Sequence, residues 1–387
     1  MRIAYITDET MPNASASGLQ IVQTLAALAE AGARVDMLYP VAPGDRRDEA
    51  LRRAELSAYF HVECGFGLAP LPAALTAWRP PIKVAQAGLA TVRALGARYD
   101  VVYTRNVGPI LPVLAAGRPL VFETYRPLTQ QYPASRGPFR SVSRHPRFIG
   151  IVTHSRYARD AFLRDGLPVD RVETVYNGFD PSAFANERSP AAARALLGLP
   201  EQPTVVYTGR IAPLKRIDLL LDAAERLPHV RWVLAGAYDT DEARPLTARA
   251  RTLPNVTLLG YLTGDRLVVA LQAADALVIP PSADPLEAFK TTVLPIKTFT
   301  YLAAGRAILA GATADLTELL EDGRNARLVR PDDLGALVEA ARALLSDADA
   351  RARLADGARR TAAELTWGAR AQRLLAFIER RLATMRP

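Results

Sequence analysis

The strongest constraint in this sequence is a pattern that occurs twice. Near the start, the short apolar run RIAYIT leads through the polar loop DETMPNASASG into LQIVQTLAALAEAG, then into a second apolar run, ARVDMLYP. The middle segment places Ile21, Leu25 and Leu28 on one helical face and ends at Gly32. Strand, loop, helix, strand in this order is a right-handed crossover between parallel strands. DVVYTR, PLVFETY and FIGIVTHS continue the series as short apolar strands of the kind covered on both faces. The cycle restarts at TVVYTG, whose helix KRIDLLLDAAERL carries Ile217, Leu220, Leu221 and Ala224 at core spacing. VRWVLAGA, VTLLGY, ALVIPPS and AILAG supply further strands. The pattern pauses in NGFDPSAFANERSPAAARALL, which sets the expected boundary. Two doubly wound α/β domains are predicted, over 1–182 and 183–368, with a last helix over 369–387 free to pack back on the first. Tandem domains of this type are expected to face a central cleft between the carboxyl ends of their sheets, where ligands bind.

Composition agrees with two ordinary cores: 387 residues, 49% hydrophobic and 23% charged. The lone cysteine, Cys64, allows no internal disulfide and points to a reducing compartment. Asp8 interrupts the first apolar run before a leader core develops, and no run reaches membrane-spanning length. The cytoplasm is the expected location, and the sequons at Asn13 and Asn255 read as chance. A net charge of +8 invites a polyanion, but aromatics are only 7% and no nucleic-acid motif is present, so nucleic acid is not expected. Arg136, Arg140, Arg144 and Arg147 cluster in RGPFRSVSRHPRF. They suit a peripheral position on the anionic inner face of a membrane, beside the plainer reading of a solvated basic loop.

Several residues are placed to carry chemistry. Gly18 opens a helix whose free N–H groups suit an anion, without the G-x-G-x-x-G fingerprint of a dinucleotide site. Asn177-Gly178 is a strong turn beside the domain boundary. In YTGRIAPLKRID a strand end is followed by Gly209 and Arg210, with Lys215 at the next helix start. Two cations so placed can clamp a diphosphate. In LPIKTFTYLAAGRAILA, Pro295 suits a first helical turn and Gly305 the residue past the last. Between them Ile296, Lys297 and Thr300 begin a helix flanked by apolar strands. His61, His145, His154 and His229 are scattered without ligand spacing, so no metal site and no cofactor is expected. His154 precedes Ser155, a helix-cap residue. Neither a Walker loop nor a G-x-S-x-G elbow occurs.

In order and spacing, SGLQIVQTLAALAEAGARVDML, VVYTRN, LVFETY, THSRYARDAFLRDGLPVDRVETVYNGFDPSAF, VVYTGRIAPLKRID, ADALVIPPS and YLAAGRAILA resemble the retaining glycosyltransferases of family four, with the two-Rossmann GT-B fold. The resemblance implies a nucleoside-diphosphate sugar as substrate, its diphosphate held by Arg210 and Lys215 as the catalytic cations. It places Gly18, Asn177, Gly178, Gly209, Ile296, Lys297 and Thr300 around the donor. The implied acceptor is a glycan, a lipid-linked sugar or a small molecule, in envelope or extracellular polysaccharide synthesis. The implied reaction is a metal-independent front-face substitution with retention, in which the enzyme stabilises the leaving group and positions two substrates. The family's Glu-x7-Glu falls here at Thr292 and Thr300. A threonine can hydrogen-bond a hydroxyl but offers no charge-assisted bond. Glu287 and Asp284 lie just upstream as substitutes. A family histidine position is Tyr125, which joins His154, Thr292 and Glu287 as a sugar or acceptor contact. The lost carboxylates support a second reading, a catalytically silent homologue that binds a nucleotide sugar as an accessory subunit. A third is a different cleft enzyme, such as a sugar-nucleotide epimerase.

Overall fold

The computed structural model describes residues 1–42, 44–72, 80–287 and 293–385. Met1–Asn177 with Trp367–Pro387 form one compact unit, and Gly178–Thr366 form another.

The first unit is built on seven parallel strands: β1 Arg2–Ile6, β2 Arg34–Val41, β3 Gly67–Pro72, β4 Val101–Thr104, β5 Leu120–Thr124, β6 Phe148–Thr153 and β7 Val172–Thr174. Their spatial order is β3-β2-β1-β4-β5-β6-β7, so the winding direction reverses between β1 and β4. The helix Ala16–Glu30 is capped by the Ser15 hydroxyl and buries ten of its residues, including Gln20, Gln23 and Thr24. That is more than the one face its apolar spacing predicts. The C-terminal helix Trp367–Ala383 packs along it and covers the side the sheet leaves open.

The second unit holds six parallel strands: β8 Thr204–Thr208, β9 Arg231–Ala235, β10 Val256–Gly260, β11 Ala276–Val278, β12 Ala307–Gly311 and β13 Arg327–Val329. Their order, β10-β9-β8-β11-β12-β13, again reverses beside the first strand of the unit. Its core joins Tyr207, Trp232 and Leu309 from the sheet to Leu220 and Leu221 of the helix Ile217–Arg226. Ligands of such sheets bind where the order reverses, at the carboxyl ends of the strands. In this unit that is the end of β8 and β11.

β3 and β13 have no counterpart in the sequence reading. Both are edge strands, β3 reading GLAPLP and β13 reading RLV. Proline and partial polarity are tolerated at an edge, where one side of the ladder is unpaired. Among the described residues, no helix is long and apolar enough to cross a membrane.

Candidate functional site

The second unit carries a pocket at the end of β8, lined among others by Tyr207, Lys215, Lys297, Thr313 and Asp315. Gly209 follows β8 directly and extends its ladder by donating its N–H to the Ala235 carbonyl at 2.8 Å. It has φ +132°, and a Cβ there would lie 2.7 Å from Lys297 Nζ. Behind it, a Cβ on Gly236 would fall 1.8 Å from the Gly209 carbonyl oxygen. Two glycines therefore let the loop run flat beneath the lysine.

Lys297 Nζ lies 3.8 Å from the centre of the buried Tyr207 ring, a cation–π contact that fixes the ammonium over the pocket floor. The Tyr207 hydroxyl donates to the Arg210 carbonyl at 3.0 Å, pinning the loop. Burial, and then the charge of Lys215, pushes the Lys297 ammonium well below its usual range. Burial, and then Arg210, lowers Lys215 to about 8. Two cations are thus held close against their own repulsion, a placement that an arriving anion relieves.

The carboxylate in this pocket is Asp315. Its two oxygens accept from the Leu294 N–H and the Thr313 hydroxyl, each at 2.6 Å. Leu294 sits at φ +45°, unusual for a branched side chain, and the carboxylate holds it there. That turn sets the start of the helix Lys297–Ala304 and so aims Lys297.

The expected donor residues separate on inspection. Gly209, Lys215 and Lys297 come together. Arg210 is exposed and lies 3.8 Å from Glu242, acting on the pocket through its charge on Lys215. Ile296 is the N-cap residue, one position before the helix, and Pro295 lies outside rather than in the first turn. Thr300 is half-buried, and its hydroxyl donates to the Lys297 carbonyl at 3.0 Å. Glu287 is exposed and does not line the pocket, while Asp284 pairs with Arg216 at 3.3 Å. Thr292 lies outside the described residues. Tyr207 and Asp315 were missed: a tyrosine inside a strand reads as core, and Asp315 follows β12 as an ordinary turn acid.

In the first unit the N–H of Gly18 is not free. It donates to the Ser15 hydroxyl at 2.9 Å, and a Cβ on Gly18 would meet Asn13 Oδ1 at 2.6 Å. Close packing therefore explains the glycine, in place of the expected open anion cradle. His154 is buried at the end of β6, with Nε2 on Glu123 Oε1 and Nδ1 3.5 Å from Asn177 Nδ2. Burial lowers it to about 4 against the opposing pull of Glu123. It is a neutral ring with both nitrogens engaged, not an open contact for a sugar. Asn177 ends the first unit and Gly178 begins the second.

Glu123 is the centre of this layer. Gln20 Nε2 donates to its Oε1 at 2.9 Å, and Arg370 of the C-terminal helix pairs with the same oxygen. Burial alone would push the carboxyl up, but Arg370, His154 and Arg105 outweigh it and hold the group well below the usual range. Arg370 also donates to Thr24 Oγ1 at 3.1 Å and to the carbonyls of Val175 and Tyr176 at 2.6 and 3.0 Å. Tyr125, half-buried just after β5, lies 6.3 Å from the His154 ring, centre to centre.

Two parallel-sheet units of this kind define the GT-B class of fold. Solved structures share it over almost the full length. Sucrose-phosphate synthase of Thermosynechococcus elongatus superposes with a TM-score of 0.78 at 20% identity, over 99% of each chain. The HepE protein of Anabaena in complex with UDP-glucose gives 0.72 at 18%, over 99% of this chain and 100% of that one. The family follows from sequence. Residues 18–183 match Glycosyltransferase Family 4 and residues 202–347 match Glycosyl transferases group 1, and the chain belongs to these glycosyltransferases. A D-inositol 3-phosphate glycosyltransferase of Stackebrandtia nassauensis is 33% identical over 221 residues, covering 53% of this chain and 48% of that protein. Its counterpart in Mycolicibacterium smegmatis is 30% identical over 223 residues, covering 56% and 49%. The chain spans about half the length of these curated relatives.

Proposed function

We propose that this chain is a glycosyltransferase that moves a hexose-type sugar from a nucleoside diphosphate to a hydroxyl of a glycan, lipid-linked or small-molecule acceptor. Retention of configuration and a role in envelope or extracellular polysaccharide synthesis complete the proposal. The observation that carries it is the pair Lys215 and Lys297 lining the pocket at the end of β8, with Lys297 set over Tyr207. Ammonium groups held there in advance stabilise the charge that develops on a departing diphosphate, at no cost of reorganisation during the reaction. The HepE neighbour binds UDP-glucose, and the sequence relatives are glycosyltransferases, which supports a nucleotide sugar as donor. Arg210, exposed and near enough to act on Lys215 by its charge, adds to the same positive field. Thr300 remains the candidate for the ribose. No resident metal or cofactor is part of the proposal.

One observation favours the accessory-subunit reading. Among the described residues the only carboxylate lining the pocket is Asp315, and both its oxygens are already engaged. A screen of UDP-, GDP-, ADP- and dTDP-sugars separates the two. Thermal stabilisation by one donor together with release of its sugar supports the transferase. Stabilisation by a donor with no turnover across an acceptor panel supports the accessory role. Failure of every nucleotide sugar to bind removes both.

A further inference from the structure

We propose that the Lys297 ε-amine is a site of covalent acylation by small acyl phosphates, which react within the pocket at the end of β8. The proposal goes beyond the transferase reading and does not depend on it. Where that reading holds, acylation also shuts out the donor.

The sequence poses the question. Of its 48 lysines and arginines, only Lys83, Lys215, Lys290 and Lys297 are lysines. Two of those four, Lys215 and Lys297, line one pocket. For an anion clamp or a contact with an aromatic face, arginine serves at least as well, since its planar fork grips phosphate and stacks on rings. What arginine cannot do is give up its proton. A chain that builds nearly all its cations from arginine keeps lysine where an amine has a use.

The structure makes that amine available. Lys297 is half-buried at the start of its helix and lines the pocket. Its Nζ lies 3.8 Å from the centre of the Tyr207 ring, and burial keeps the Tyr207 phenol protonated, so the ring brings no negative charge. Among the described residues no carboxylate pairs with Lys297. Asp315, in the same pocket, spends its oxygens on the Leu294 N–H and the Thr313 hydroxyl. The charge that acts on Lys297 is that of Lys215, of like sign, and it joins burial in favouring the neutral amine. The neutral amine is the nucleophile.

An acyl phosphate suits this arrangement. Its phosphate is an anion for Lys215, and its acyl carbon stands one oxygen away from the phosphorus. Holding the phosphate therefore presents the carbon to the other amine of the pocket. The Lys297 nitrogen attacks the acyl carbon, and the bond from that carbon to the phosphate oxygen breaks. Inorganic phosphate leaves with the bonding electron pair, and the nitrogen sheds one proton to solvent. The product is an uncharged amide, which removes one cation from the pocket.

The test incubates the full chain with acetyl phosphate from about pH 6 to pH 10 and reads Lys297 by peptide mass spectrometry, with Nα-acetyl-lysine as the reference amine. Near neutral pH, Lys297 is expected to react at least about tenfold faster than the reference, and its rate should level off at a lower pH. Inorganic phosphate should protect it, and Lys215→Met should slow it by about fivefold or more. Protection is read in wild type, so the test stands if Lys215→Met does not fold. A rate that tracks the reference amine at every pH, or one that phosphate leaves unchanged, would overturn the proposal. Nucleoside-diphosphate binding to the untreated chain reads the donor site separately, so failure of the transferase reading shows up on its own.

Discussion

At the scale of single residues, the pocket on the second unit is governed by two lysines whose charge is costly to maintain. Lys215, lowered to about 8, is charged below that pH and neutral above it. Affinity for a nucleoside diphosphate should accordingly fall about tenfold between pH 7 and pH 9, as the bound anion must recruit a proton that is no longer there. Calorimetric titration across that range checks this, and a flat profile would remove Lys215 from the diphosphate. His154 gives the opposite pH signature, in stability. Its folded value of about 4 lies below the ordinary 6.5, so protons favour the unfolded chain. Stability should be fully present above pH 6.5 and decline as the pH drops toward 4. His154→Asn should flatten that slope in thermal unfolding. Lys215, Gly209 and Lys297 were legible in the sequence because cations and a glycine flank a recognisable strand end. The floor and the clamp were not. Tyr207 and Asp315 acquire their roles only when β8, β12 and the turn before Lys297 meet in space.

At the scale of elements, the sequence reading found the central strands and missed two edge strands, β3 and β13. β4, β5, β8 and β12 are short runs buried along their whole length, β1 is buried from Ile3 onward, and hydrophobicity marks them. β3 and β13 carry prolines or an arginine because an edge permits them, and the same latitude hides them from pattern reading. The C-terminal helix shows a second limit. Its amphipathic pattern announces a helix, but nothing local announces that Arg370 reaches Glu123, Thr24 and the carbonyls of Val175 and Tyr176. Arg370 is 1% exposed and Glu123 is fully buried, so removing one partner strands a charge. Arg370→Met should cost about 3–5 kcal/mol in urea unfolding. An effect under 1 kcal/mol would mean the layer is not the tie described. In the second unit, Gly236→Ala would drive a methyl into the Gly209 carbonyl. A loss of about 1–3 kcal/mol is expected, with weaker nucleotide binding as the loop shifts.

At the scale of the whole molecule, the twice-repeated crossover was enough to foresee two doubly wound sheets, because right-handed connections leave few alternatives for such a pattern. The net charge of +8 is a property of this scale too. Arg140, Arg144 and Arg147 are exposed on or just beyond the helix Arg136–Ser143, whereas Arg136 is taken by Asp165. If these arginines meet an anionic membrane, the chain should float with phosphatidylserine vesicles at low salt and be released at high salt. Flotation indifferent to salt, or none, would return the cluster to a solvated basic loop. The central claim is that the Lys215–Lys297 pocket holds a diphosphate. Its most direct test compares the dissociation constants of a nucleoside diphosphate and its parent nucleoside, in wild type and in Lys297→Met. The diphosphate should bind wild type about a hundredfold more tightly than the nucleoside, and the variant should lose at least tenfold of that difference. A Lys297→Met protein that binds the diphosphate as tightly as wild type would contradict the account.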